Sequence, residues 1–103
     1  MLALPLVAAD ITGNWTFAVD LGGQGGSPKF SFQQNGEALT GTYSGQLGES
    51  KLKGTVKGDK VEFQFETSGI VVAYSGSIVS ATEMKGKADY GGQAEGTWTA
   101  KKN

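Results

Sequence analysis

The chain has 103 residues, nine lysines against ten carboxylates, and neither cysteine, histidine nor arginine. That length suits one domain with a modest core and no disulfide or thiolate metal site. The usual proton shuttle, the commonest neutral metal ligand and the bidentate anion clamp are all missing, and the balanced charge leaves no footprint for nucleic acid or an anionic membrane.

Residues 1–9 stand apart from everything that follows. Leu2, Leu4 and Leu6 make a short apolar run, and Val7 and Ala9 are spaced like the small residues before a cleavage site. This segment reads as a signal-peptide remnant or a disordered tail, without a charged start and too short to span a bilayer. A signal would make residues 10–103 the mature domain and place it outside the cytoplasm, periplasmic or secreted.

From there a small pattern recurs five times: apolar, any, glycine, polar, apolar. It runs through Leu39-Thr40-Gly41-Thr42-Tyr43, Leu52-Lys53-Gly54-Thr55-Val56, Tyr74-Ser75-Gly76-Ser77-Ile78, Met84-Lys85-Gly86-Lys87-Ala88 and Ala94-Glu95-Gly96-Thr97-Trp98. A period of two marks strands with one buried face. Glycine on that face lets a sheet coil sharply, as a small barrel requires. Eight strands are predicted, at 14–19, 29–34, 39–44, 51–56, 61–66, 71–78, 83–90 and 94–101, joined by short glycine-rich or polar connectors. The expectation is an all-β, eight-stranded antiparallel up-and-down meander closed into a small barrel, with an open two-sheet sandwich as the alternative.

The inward set is Trp15, Phe17, Val19, Phe30, Phe32, Leu39, Tyr43, Leu52, Val56, Val61, Phe63, Phe65, Val72, Tyr74, Ile78, Met84, Ala88, Tyr90 and Trp98. Alternate connectors of a meander share an end. Asn35-Gly36, Gly58-Asp59, residues 80–82 and both termini form a tight end, where Trp15 and Trp98 are expected to act as plugs. The other end carries the loop 22–27 with residues 46–49, 68–69 and 91–93, the kind of polar loops that hold binding residues. Val19, Phe30, Tyr43, Leu52, Phe65, Val72 and Tyr90, with Tyr74, form the candidate ligand-binding funnel beneath it. The competing expectation is a solid core whose tyrosines turn their hydroxyls to water.

Chemical motifs are sparse. Ser50-Lys51-Leu52-Lys53 matches an S-x-x-K string, but three residues along a strand means opposite faces, whereas that chemistry uses a helix. The 22–27 loop has neither the spacing nor the following helix of a phosphate cradle. Glu62 and Glu66 share an outward face. Asp89, beside Tyr90, is the one acid considered as a proton acceptor, and Asn14-Trp15-Thr16 is a glycosylation string inside a strand.

Ile11-Thr12-Gly13-Asn14-Trp15 followed by Leu39-Thr40-Gly41-Thr42-Tyr43 resembles the first and third strands of streptavidin and the avidins, and Gly13-x-Trp15 resembles the opening signature of lipocalins. The resemblance implies an eight-stranded meander barrel that holds a small ligand at its open end. It also implies a tyrosine for the ligand at Tyr43, which is present. The avidin asparagine two positions after the first tryptophan is Phe17 here, the serine two positions after the tyrosine is Gly45, and of the further tryptophans only Trp98 stands. Biotin's polar groups would go unpaired, so the ligand expected is not biotin.

Three functions follow as expectations: a secreted, non-catalytic barrel binding a small, largely apolar molecule; an accessory or structural module with a filled barrel; and a cyclase- or isomerase-type enzyme working through its tyrosines. No cofactor or metal is expected, and no nucleic-acid partner or membrane span. Outward positions are mostly threonine, lysine, glutamate and serine, with Val71 and Ala73 the main apolar exceptions. A monomer is therefore expected, with a dimer across 70–73 as the alternative.

Overall fold

A computed structural model describes residues 10–23, 25–46 and 48–103. The 1–9 segment lies outside these residues, as do Gln24 and Leu47. All strands belong to one antiparallel sheet: β1 (Gly13–Asp20), β2 (Gly25–Gly26), β3 (Lys29–Asn35), β4 (Ala38–Gly45), β5 (Gly48–Lys57), β6 (Lys60–Thr67), β7 (Ile70–Ser80), β8 (Glu83–Tyr90) and β9 (Ala94–Lys102). Each strand from β3 onward pairs with the next, and β1 pairs with β9 from Trp15↔Lys102 to Asp20↔Thr97. The sheet is therefore closed, an eight-stranded barrel with one extra two-residue strand. The open sandwich is excluded.

The extra strand comes from the loop expected over 22–27. Gly25 and Gly26 pair with Asp20 and Val19. Pro28 then interrupts the edge, since it has no N–H to donate. Its carbonyl still accepts from Phe17 N at 2.9 Å, so β2 and β3 together line β1. Between β6 and β7, Ser68 (φ 53°) and Gly69 (φ 80°) both adopt left-handed backbone. Positive φ at both central residues is the signature of a tight hairpin turn that matches strand twist. The register of β7 on β8 slips between Ile78 and Ser80, and the bulged Val79 faces solvent.

The repeated strand glycines have a steric cause. A methyl group at Gly54 would strike the Glu62 carbonyl of β6 and come within 2.5 Å of the Phe63 Cα. One at Gly86 would strike the Ser75 carbonyl and stand 2.5 Å from the Gly76 Cα. In register, Gly41 faces Phe32, Gly54 faces Phe63 and Gly86 faces Trp98, so an aromatic residue stands directly across the ladder from each of these glycines.

These rings meet at Phe17. Its centroid lies 4.3 Å from Phe30, 4.7 Å from Trp98, 5.8 Å from Tyr74 and 6.1 Å from both Phe32 and Phe63. Side chains fill the middle of the barrel. Trp15 sits at the tight end, where its Nε1 donates to the Ile11 carbonyl at 2.9 Å and Gln34 Oε1 accepts from Ile11 N at 3.0 Å. Ile11 and Ala100 thus join the core, which lacked them in the inward set, whereas Ile78 and Tyr90 are only partly buried. Trp98 is not a tight-end plug. It pairs with Val19 and stacks on Phe17 in mid-barrel, because the stagger between β1 and β9 sets its height.

Phe17→Ala removes the centre of this cluster and is expected to cost about 3–5 kcal/mol. The half-exposed Val71→Ala should stay within about 0.5 kcal/mol. Urea midpoints of the two variants check the contrast, and similar losses would contradict a core organised on Phe17.

Candidate functional site

Two turns at the loop end share one construction. In Asp20-Leu21-Gly22-Gly23 and in Asp89-Tyr90-Gly91-Gly92, the aspartate Oδ1 accepts from the N–H of the last glycine, at 2.9 Å in each. The paired glycines carry φ of 72° and 94° in the first turn and 64° and 76° in the second. A residue with a Cβ would be strained there. The turn holds its second residue over the barrel mouth, and Leu21 and Tyr90 both stand on it, partly buried.

Between these turns and the opposite loops lies a cup of about 770 Å³, open to solvent. Val19, Leu21, Pro28, Tyr43 and Tyr90 supply its apolar wall, Ser27 and Gln46 its polar one, and Gly25, Gly26 and Gly45 leave the room. Among the described residues this lining holds no charged side chain.

The candidate funnel residues divide by depth. Val19, Tyr43 and Tyr90 line the cup. Phe30, Leu52, Phe65 and Val72 are buried below it, and the Tyr43 ring stacks on Phe65 at 4.2 Å. Tyr74 is buried, its ring 5.1 Å from Phe63, and its hydroxyl lies 2.6 Å from the Tyr90 hydroxyl. The cup is therefore shallower than a funnel, with the aromatic core as its floor. Leu21, Gly25, Gly26, Ser27, Pro28, Gly45 and Gln46 were not among the expected site residues. The doubled Asp-Φ-Gly-Gly string was the available signal for Leu21.

Burial raises both phenols of the linked pair. For Tyr74 loss of solvent is the main cause, and the Tyr90 hydrogen bond and the nearby Tyr90 and Tyr43 oxygens add to it, holding the hydroxyl far above the ordinary phenol range. Tyr90 is raised chiefly by burial, against an opposing pull from the Tyr74 hydrogen bond. The other candidate groups are engaged structurally. Asp89 anchors its turn through Gly92 N, and Ser50 Oγ donates to the Glu66 carbonyl at 2.9 Å. A further groove of about 690 Å³ on the outer wall runs among Lys53, Glu62, Lys87, Asp89 and Glu95, a solvated surface with charges of both signs. Among the described residues no cluster of carboxylates is placed to hold a metal ion, and no helix is long and apolar enough to cross a membrane.

Neither a protein-family model nor a curated protein matches the sequence. Solved structures do match in shape. A redesigned β-barrel, b11L5F_LGL, aligns with a TM-score of 0.81 over 99% of this chain and 99% of its own, at 17% identity. The barrel EF1p2_mFAP2b bound to DFHBI aligns at 0.69, 19% identical, over 90% of this chain and 94% of its own. A redesigned barrel, mFAP1, bound to DFHBI, aligns at 0.70 and 17% identity, over 89% and 94%. At such identities the likeness concerns the fold: a small eight-stranded antiparallel barrel.

Unfolded, both phenols ionise near the ordinary value of 10.0; folded, they keep their protons to higher pH. Below that value both states are protonated and stability is unaffected. Above it the unfolded chain releases protons that the folded chain retains, so stability falls as pH rises. Tyr74→Phe should flatten that alkaline fall, read from urea midpoints between roughly pH 9 and 11. An unchanged slope would contradict the burial of this hydroxyl.

Proposed function

We propose that the protein is a non-catalytic barrel that binds a small, largely apolar molecule in the loop-end cup, as a monomer outside the cytoplasm. The cup itself carries the reading. It is concave and mostly apolar, has a few convergent polar groups, and at about 770 Å³ falls in the usual range of ligand sites. Two barrels of this fold were solved with DFHBI bound, which supports small-molecule binding by the architecture.

The likeness to avidins or lipocalins belongs to the same proposal, with a ligand other than biotin. Phe17, where avidins place an asparagine, is fully buried between Phe30 and Trp98 and offers biotin no hydrogen bond. The filled mid-section favours a second reading, an accessory module that binds nothing in its barrel.

A thermal-shift screen of apolar small molecules, biotin included, separates the two. A ligand at about a hundred times its dissociation constant adds roughly 2.7 kcal/mol. For a domain of this size that raises Tm by on the order of 10 °C or more. Gly26→Leu, at a position where the nearest atoms to a Cβ are those of the Gln46 amide at 3.8–3.9 Å, should fill the cup and abolish the shift. No shift across a broad library supports the accessory module instead. Location and assembly are read separately, by fractionating cells that express the full chain and by light scattering; cytoplasmic recovery or an oligomer overturns that part of the proposal.

A further inference from the structure

Resting on the cup as a ligand site, we propose that Tyr90, oriented by Tyr74, donates a hydrogen bond to a carbonyl-type acceptor on an uncharged ligand. A hydroxyl has one hydrogen to give and two lone pairs to receive with. The Tyr74 hydroxyl is buried, and among the described residues its hydrogen-bond partner is Tyr90, 2.6 Å away. If Tyr90 donated to Tyr74, the Tyr74 hydrogen would be left buried with nothing to bond, a costly state. The satisfied arrangement is the reverse. Tyr74 donates, Tyr90 accepts, and the Tyr90 hydrogen turns away from the core towards the cup that its ring lines. Accepting one bond also strengthens the bond that a hydroxyl donates. A phenol is protonated at neutral pH and burial raises both further, so the donor is present under ordinary conditions.

The charge around the mouth selects against anions. The described cup lining offers no cation. Asp20 and Asp89, next in sequence to Leu21 and Tyr90, are fixed by their turns, and Glu95 stands opposite Asp89 in register. Lys29, next to Pro28, faces Ser44 and Thr16 on the outer wall, and Lys87 lies one outward position below Asp89, opposite Thr97. A carboxylate or sulfonate entering the cup would lose its water without gaining a counter-charge there. An uncharged carbonyl compound avoids that cost and matches the single oriented donor.

Two fluorescent probes test this. Nile red is neutral, and its ring carbonyl shifts the emission to the red when it accepts a hydrogen bond; anilinonaphthalene sulfonate is anionic. Each is titrated into the wild type, Tyr90→Phe and Tyr74→Phe. The expected result is saturable Nile red binding with hydrogen-bonded emission, weakened about fivefold to tenfold and blue-shifted by Tyr90→Phe. Tyr74→Phe should weaken it less, and the sulfonate should bind the wild type at least about tenfold more weakly than Nile red. Nile red that binds with non-hydrogen-bonded emission in the wild type overturns the assignment of Tyr90, whether or not the variants fold. So does unchanged binding in Tyr90→Phe. Preferential binding of the sulfonate overturns the charge argument. Failure of both probes to bind, with no hit in the thermal-shift screen, removes the cup reading itself.

Discussion

A closed barrel of eight strands must bend its sheet harder than side chains on the inner face permit, and the packing of large rings against backbone at the bends is what the rest of this molecule depends on. At Gly54 and Gly86 the neighbouring strand occupies the space a Cβ would take. Phe63 and Trp98 stand directly across the ladder from these glycines, and the Trp98 ring lies where a Cβ at Gly76 would fall. Backbone curvature and aromatic burial are therefore one device. Without the glycines the strands could not approach, and without the rings the bends would open voids beside the core.

The same device decides where a ligand could go. Phe17 touches rings from β3, β6, β7 and β9, and among the described residues these rings fill the middle of the barrel. A cup lies above the rings, where small residues on β2 and β4 draw the wall back and two aspartate-anchored turns overhang it. Each turn is closed by a hydrogen bond from its last glycine to the aspartate and by two glycines in left-handed backbone. The second residue of each, Leu21 or Tyr90, lines the cup.

The shared architecture with solved barrels at 17–19% identity follows from how little this fold asks of most positions. Inward residues must be apolar and of roughly the right total volume, bends must be glycine, and outward residues need only be soluble. Many sequences satisfy these conditions, and so the particular residues at the mouth are what distinguish one such barrel from another.

Alternation along each strand is a property of neighbouring residues, so Leu39, Tyr43, Leu52 and Val56 declared their inward faces, and the five glycine motifs declared the bends, before any pairing was known. The eight strands, their order and the division into a tight end and a loop end were legible for that reason. Heights along the barrel were not. They follow from the stagger between strands, which put Trp98 in the middle beside Phe17 and not at the closed end. Nor could the chain announce that Ile11 folds over Trp15, that two glycines of a loop form a strand, or that Tyr74 and Tyr90, sixteen residues apart, meet hydroxyl to hydroxyl. Contacts of this kind depend on register and curvature summed over many strands, and these exist only once the barrel has closed.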